Sequence, residues 1–511
     1  MQRREFLKLT GATAAVALAG GAATTAAQQS DAPALRIDPT PRFELSPWLY
    51  THFMEPLGVT DSSIEASWDH TKHRWRQDLV DITKELAPGM MRWGGLFSAY
   101  YRWREAVGPR DKRKPMLNLH WGGVETNQIG TAEFVDFCRQ VNTEPLMCVN
   151  FEAEGYKPWA VDATGDVRAG DAREAAEWVA YCNDPGNKER VGHGHRDPLT
   201  INVWQIGNET SYSNERFDTN TAIAKTIEFA TAMRKADQRI KLIGWGDSGW
   251  APDMIKRAGE HLDYVAFHSL FDPARPDPKS PLRGTEYRKD PAATWDALMN
   301  GYKIHERKLL EVRQQVEGLN KPLALTECHY TPQGRNRCEV QSSWAAGVSY
   351  ARFLNLHERH GDVLKIANIS DYCGTRWQTN AVMLPVPSGR AFAMPVAKVM
   401  ALYGKHAGKS FVNVTETPAD LDVTASRTGD KLFLHVINTN RTQSRSGSIA
   451  VAGMTVRGAT AFTIAADPEF EIIAAERDPM RVRESKVDVA APVSFPAASV
   501  TALEVELGAS D

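Results

Sequence analysis

Cysteine is scarce in this 511-residue chain. Its six residues (Cys138, Cys148, Cys182, Cys328, Cys338 and Cys373) form no Cys-x-x-Cys pair, which argues against a disulfide scaffold. Metal-binding spacing is missing too. There is no His-Glu-x-x-His and no clustering of Cys with His; His193 and His195, in Gly-His-Gly-His, have no third ligand nearby and read as a polar loop. Neither a metal nor an organic cofactor is expected. Charge of one sign is not in excess: the formal net charge is −3, with acids and bases mixed along the chain. No basic face exists to grip phosphates or anionic lipid, so nucleic acid is not an expected partner. Beyond about residue 27, no run is apolar for long enough to cross a bilayer.

The first residues read as an address. Arg3-Arg4-Glu5-Phe6-Leu7-Lys8 precedes a mild stretch of Ala, Gly and Thr that ends in small residues and polar Gln28-Gln29-Ser30. This is similar to a twin-arginine export signal, so residues 1–27 are set apart from the fold and a periplasmic or secreted location is expected, with no membrane contact after signal removal. That route carries folded proteins, which fits a chain that does not need disulfides.

What remains, at 24% charged and 42% hydrophobic residues, has ordinary globular composition. Its length exceeds one core, so a large domain with a smaller companion is expected. From 47 to 408, eight short apolar runs (48–54, 90–95, 145–151, 201–209, 240–246, 262–269, 322–327 and 364–371) alternate with helical patterns such as 68–86, 221–236, 294–317 and 341–360. Eight βα units predict an α/β fold, a (β/α)8 TIM barrel. From 409 to 511 the texture changes to alternating segments (421–426, 432–438, 448–451, 460–464 and 500–505) with turn signals between them, which predicts a C-terminal antiparallel β-sandwich domain. Residues 28–46 are expected to add a strand to it. A Pro-rich stretch, 272–291, is too long for a plain βα loop and is expected to rim the site or form a subunit contact, leaving a homo-oligomer open.

Seven of the eight runs end in a group able to bond a sugar or move a proton: Glu55, Arg92, Asn150, Glu209, His268, Glu327 and Asp371. In a barrel those positions line the C-terminal face, where active sites sit. A polar residue after a strand is ordinary loop chemistry when taken singly; seven together favour a site. Glu209 ends run four in Val203-Trp204-Gln205-Ile206-Gly207-Asn208-Glu209, and Glu327 ends run seven in Leu323-Ala324-Leu325-Thr326-Glu327. Strands four and seven face each other across such a barrel, so two carboxyls come together as retention in glycoside hydrolysis requires. Asn208, beside Glu209, is placed to hold a sugar hydroxyl. Spacing alone does not say which carboxyl is the acid.

At this point a resemblance becomes specific. Residues 43–405 resemble the retaining α-L-arabinofuranosidases of glycoside hydrolase family 51, and the tail resembles their C-terminal β-sandwich. The anchors are His52-Phe53-Met54-Glu55-Pro56-Leu57-Gly58, Arg92-Trp93-Gly94-Gly95, Tyr101-Arg102-Trp103 with Val107-Gly108-Pro109-Arg110, Glu125-Thr126-Asn127, Val149-Asn150 and the run through Glu209. The resemblance implies Glu209 as acid/base, Glu327 as nucleophile, and Glu55, Asn208 and Arg92 on the sugar. Glu209 should then lie against apolar walls that raise its pKa, while Arg92 and His268 keep Glu327 ionised. The implied substrate is terminal arabinofuranose on an oligosaccharide or polysaccharide.

Four departures bear on the sugar. Leu96 follows Arg92-Trp93-Gly94-Gly95 where the family has an Asn; Ser269-Leu270 replaces an aromatic after His268; Asp371 stands where Gln is usual; and Phe151-Glu152-Ala153-Glu154 replaces a Gly-rich turn. Of the tryptophans near strand ends (Trp93, Trp103, Trp121, Trp245, Trp250 and Trp377), Trp121 and Trp377 are the candidates for stacking on a sugar, and about half of the six are expected in the core. The alternatives are another retaining hydrolase (a β-xylosidase, an endo-acting glucanase or xylanase, or a hydrolase of an unusual furanoside) and a non-catalytic carbohydrate-binding protein.

Overall fold

A computed structural model describes residues 33–57, 64–162, 164–212, 217–271, 279–331, 339–375, 380–386 and 388–509. The first strand, β1 (Ala34–Glu44), belongs to the C-terminal sheet. Eight parallel strands then follow: β2 (Thr51–Met54), β3 (Met90–Trp93), β4 (Glu144–Val149), β5 (Val203–Ile206), β6 (Lys241–Trp245), β7 (Tyr264–Phe271), β8 (Leu323–Tyr330) and β9 (Leu364–Gly374). Each pairs with the next, and β9 closes back on β2, giving the (β/α)8 barrel that the eight apolar runs predict.

The helices outside this ring begin where side chains cap them. Asp171 accepts from Glu174 N at the start of α3 (Ala172–Asn183), and Asp218 from Thr221 N at α4 (Thr219–Ala236). Asp290 does the same before α6 (Pro291–Gln315), whose first residue is the proline tolerated there. The other helices of eight residues or more among the described residues are α1 (Gln77–Leu86), α2 (Thr131–Val141), α5 (Ala251–Ala258), α7 (Trp344–Arg359) and α8 (Pro395–Lys405).

One helical expectation is corrected. The stretch 68–86 is helical only from Gln77, because Trp68–Asp69 and Arg74–Trp75 form a small antiparallel ribbon. Asp69 turns the chain there by accepting from the backbone of Thr71 and Lys72, and the two tryptophan rings meet edge to face at 5.4 Å. Local Asx chemistry and an aromatic cross-strand pair override the helical period.

Inside the barrel, Met90, Leu146, Val203, Ile243, Ala266, Ala324 and Ile366, one from each of seven strands, form an apolar floor. Strand side chains alternate, so the residue two positions later shares the same face. That step leads to Arg92, Gln205, His268, Thr326 and Asn368, all buried. A polar layer therefore lies directly above the floor, at the C-terminal end.

Residues from 410 onward join β1 in a nine-stranded sheet. In chain order the other strands are β10 (Ser410–Glu416), β11 (Leu421–Thr428), β12 (Lys431–Asn438), β13 (Arg445–Val451), β14 (Met454–Ala465), β15 (Arg483–Val487), β16 (Val493–Phe495) and β17 (Ser499–Ala509). The spatial order is β15-β14-β17-β12-β11-β10-β1-β13-β16, antiparallel except where β1 meets β13. The sheet folds around its own core, which includes Leu35, Val412, Leu434, Phe495 and Val505. Helix α7 joins it to the barrel and is buried on nearly every side. Its Glu358 is buried and accepts from Tyr50 at 2.5 Å, bonds His435 at 2.7 Å and accepts from Thr424; Arg352 and Arg359 both pair with Asp422.

Candidate active site

The polar layer is organised by Arg92, whose side chain is fully buried. Its Nε donates to Gln205 Oε1 at 2.8 Å, one terminal nitrogen to Glu327 Oε1 at 2.8 Å and the other to Asn208 Oδ1 at 2.5 Å. The planar guanidinium thus fixes the end of β5 and the carboxyl of β8 in a single plane of donors. Glu327 reaches this layer because β8 carries a bulge: Phe267 pairs with Leu325, but His268 pairs with Glu327. The extra residue, Thr326, bonds His268 Nε2 at 3.0 Å, so two successive side chains both face inward.

Glu209 arrives from the other side on a turn that only special residues can make. Gly207 has φ +86°, and a Cβ there would lie 2.6 Å from Thr210 Oγ1. Glu209 itself is left-handed, with φ +55°. The opposing loop, Glu152–Tyr156, is stranger still: Glu152, Ala153, Glu154 and Tyr156 all have φ between 48° and 59°, with Gly155 at 80°. Left-handed backbone costs a non-glycine residue roughly 1–2 kcal/mol, so the surroundings must hold this turn in place. Asn150 does part of that work. Its Oδ1 accepts from Ala153 N at 3.0 Å, and its Nδ2 donates to Arg168 O at 2.7 Å and Tyr101 O at 3.3 Å. Glu154, projected by the turn, accepts from Asn208 N at 2.9 Å and from the Thr210 hydroxyl.

His268 stands between the two carboxyls. Its Nδ1 lies 3.0 Å from Glu209 Oε1 and 3.7 Å from Glu327 Oε2, and the three side chains offer atoms that all lie within 4.8 Å of one another. The Trp245 ring meets the imidazole edge-on at 4.7 Å. Burial lowers the His268 pKa to about 4, so at neutral pH the ring is uncharged, one nitrogen donating and the other accepting.

Burial pushes Glu209 up to about 7, with the charge of Asp247 adding to the rise and Arg92 and Lys157 opposing it. Glu327 is also raised by burial, against which His268 and the directly bonded Arg92 act. Both carboxyls touch His268, but only Glu327 has a hydrogen-bonded guanidinium, so Glu327 is the better anion and Glu209 the better acid. The sequence reading did not find Asp247, although it follows run five and carries the same signal as the other seven ends. Despite its burial, Lys308, Tyr212 and the backbone of Ser248 hold its pKa low, and it accepts from His268 N at 3.2 Å.

Glu55 and Asp371 complete the ring of acids. Glu55 Oε1 accepts from Trp121 Nε1 at 2.9 Å and from Phe97 N at 3.2 Å, while Glu55 N donates to Asp371 Oδ1 at 3.3 Å. Burial, reinforced by the nearby Glu327 charge, raises Glu55 well above the usual carboxylate range; burial does the same to Asp371. Gly95 makes room for Glu55, since a Cβ there would lie 2.2 Å from its carboxyl carbon. Asn208 Nδ2 is buried without a partner, leaving two unused donors beside Glu209.

The structure thus brings Glu209, Glu327, His268, Arg92 and Asn208 into one contact network, and Glu55, Trp121 and Asp371 into an adjoining one. Asn150 is placed differently from the expected sugar contact, because both ends of its amide are taken by backbone. Two of the departures also turn toward the scaffold: Glu152 pairs with Lys225 at 2.7 Å, and Ser269 Oγ bonds His305 Nδ1 at 2.7 Å. Trp93, Trp103 and Trp245 are fully buried. Trp377 and residues 272–278 lie outside the described residues.

A second trio of potential metal ligands, His305, Cys328 and His357, is buried behind β8. Its two imidazole Nε2 atoms are 2.7 Å apart, a hydrogen-bond distance. That is shorter than the roughly 3.3 Å between two nitrogens on one tetrahedral zinc ion.

Two family models match the chain. The α-L-arabinofuranosidase 1 domain matches residues 82–276, and the α-L-arabinofuranosidase C-terminal domain matches 324–499. An intracellular exo-α-(1→5)-L-arabinofuranosidase of Acetivibrio thermocellus is 29% identical over 248 residues, 45% of this chain and 46% of that protein. The chain therefore matches about half the length of such curated relatives. Among solved structures, an α-L-arabinofuranosidase from Thermotoga maritima in complex with arabinose superposes with a TM-score of 0.75 at 22% identity, covering 93% of this chain and all of that one (100%). A family 51 α-L-arabinofuranosidase from Bifidobacterium longum gives 0.74 at 20% identity, over 93% and 99%. The expectation of export is corrected by these findings: relatives from four bacteria are named intracellular, which points against a periplasmic or secreted protein. The paired arginines behind that expectation lie outside the described residues.

Proposed function

We propose that this chain, with its two α-L-arabinofuranosidase domain matches and its likeness to family 51 structures, releases terminal α-L-arabinofuranose by a retaining, double-displacement reaction, with Glu209 as acid/base and Glu327 as nucleophile. The observation that carries the reaction class is the approach of the two carboxyls: one oxygen of Glu209 and one of Glu327 lie within 4.8 Å of each other. Retaining enzymes hold their carboxyls about 5–5.5 Å apart, whereas inverting enzymes need roughly 6.5–9.5 Å to admit a water.

In the first step Glu209, protonated below its pKa of about 7, gives its proton to the glycosidic oxygen as a Glu327 oxygen attacks the anomeric carbon. Arg92 keeps one Glu327 oxygen bonded and leaves the other for attack. In the second step ionised Glu209 takes a proton from water, which displaces Glu327 and restores both groups. The unused Asn208 amide hydrogens suit a sugar hydroxyl, and the Glu55 carboxyl with Trp121 suits another. Expulsion of the aglycone with an exo mode follows the names of the relatives.

The test is proton NMR of the first product formed from a 4-nitrophenyl α-L-arabinofuranoside. The reading expects the α-anomer first. Appearance of the β-anomer first would remove the double displacement, and release of arabinose from no arabinoside would remove the substrate. In Glu327→Ala, turnover should vanish, and azide should partly restore cleavage as an inverted glycosyl azide.

A further inference from the structure

Glu154 has no part in the two chemical steps, yet it is the side chain that the strained turn delivers to the acid. It accepts from the residue before Glu209 and the residue after it: Asn208 N at 2.9 Å and the Thr210 hydroxyl. Five consecutive left-handed residues, 152–156, surround it. Among the bonds that brace that turn are Glu152 N to Gly170 O at 3.0 Å, Ala153 N to Asn150 Oδ1 at 3.0 Å, Glu154 N to Phe151 O at 2.8 Å and Glu152 to Lys225 at 2.7 Å. Glu154 is 1% exposed, so solvent cannot take over its two bonds.

The Glu209 carbonyl accepts from Tyr212 N at 2.9 Å, which closes the turn after it but leaves its N-terminal side to Asn208; among the described residues its carboxyl bonds a histidine shared with Glu327. Its left-handed conformation must be held through the residues on either side.

We propose that Glu154 is a positioning residue for the acid/base: its carboxyl grips the backbone N–H of Asn208 and the hydroxyl of Thr210, and so holds Glu209 at the depth and angle from which its proton reaches the glycosidic oxygen. This rests on the reading of Glu209 given above. The consequence is specific. A mispositioned acid harms substrates in proportion to how much their leaving group needs a proton, while the attack by Glu327 is untouched.

The experiment compares kcat/KM, which reports the first chemical step, for 4-nitrophenyl α-L-arabinofuranoside and for α-1,5-arabinobiose. The nitrophenolate departs with little help; the sugar alcohol does not. Glu154→Ala is expected to lower kcat/KM on the disaccharide about 30-fold or more and on the nitrophenyl glycoside less than about threefold. Glu154→Gln, whose amide can accept from Asn208 N and donate to the Thr210 oxygen, should recover most of the loss. Thr210→Val removes one bond only and gives the same signature at smaller size if Glu154→Ala does not fold. Equal losses on both substrates, or a Glu154→Gln as impaired as Glu154→Ala, would overturn the inference while leaving the function standing. A wild-type protein that cleaves neither substrate overturns both.

Discussion

Replacing Arg92 with methionine isolates what one buried cation contributes to the site. The side chain keeps a similar length and loses three donors, those to Glu327, Asn208 and Gln205. A hydrogen bond to a charged group contributes about 1.5–3 kcal/mol. Loss of the bond to Glu327 therefore makes its anion less favourable by that amount, and at 1.36 kcal/mol per unit its pKa rises by about 1–2 units. The sign follows from the role: Glu327 attacks as a carboxylate, so a higher pKa shifts the acid limb of the kcat/KM profile toward neutrality by the same 1–2 units. The basic limb, which reports Glu209, should move less, because Arg92 does not bond Glu209. The partners left behind are buried, so stability should fall by roughly 3–5 kcal/mol, the usual effect of breaking a buried pair from one side. The assay is kcat/KM against pH on a nitrophenyl arabinofuranoside, with thermal unfolding alongside. An acid limb that stays in place while the protein is destabilised would refute the electrostatic role of Arg92 and leave it a packing residue.

Other outcomes follow from the same geometry. The wild-type basic limb should fall near pH 7, since burial holds Glu209 at about 7 and activity needs it protonated; a limb more than about one unit away in kcat/KM would contradict that environment. Gly95→Ala sets a Cβ against the Glu55 carboxyl at a position with φ +149°, and should lower kcat/KM about tenfold or more with a smaller change in unfolding temperature. Glu358 is held below its ordinary value in spite of burial, by His435, Thr424 and Tyr50. Its folded pKa is depressed, so its contribution is present above about pH 4.5 and is lost as pH falls through the folded value. Glu358→Leu should destabilise the wild-type protein by about 3–5 kcal/mol at pH 7 in urea unfolding, and by less at pH 3.

The barrel could be read from the sequence because burial on both faces writes each of its strands as a short apolar run, and all eight runs carry a strand. The position of the carboxyls came from the same signal, since Glu209 and Glu327 directly follow such runs. The first part of 68–86 could not be read, because the Asx turn at Asp69 and the meeting of Trp68 with Trp75 are decided by contacts rather than by period. Glu154 shows in the sequence only as part of a departure from a Gly-rich turn, and its contact with the Glu209 turn was hidden for a related reason. Nothing in Phe151-Glu152-Ala153-Glu154-Gly155 announces left-handed backbone, and only the fold shows Asn150 bracing the turn. Nothing in Leu323-Ala324-Leu325-Thr326-Glu327 marks the bulge at Thr326, so Glu327 would alternate outward in a regular strand and faces inward only because of one extra residue. Asp247, by contrast, was legible and passed over: it follows an apolar run as the others do, one glycine later.

The central claim is that Glu327 forms a covalent bond to the sugar. Intact-mass and peptide mass spectrometry after incubation with a slow arabinofuranoside, carrying an electron-withdrawing group at C2 and a good leaving group at C1, tests it directly. The account predicts a single glycosyl adduct on the peptide containing Leu325-Thr326-Glu327-Cys328, formed in step with one equivalent of leaving group. An adduct on Glu209 or Glu55 instead, or steady turnover with no adduct at all, would contradict it.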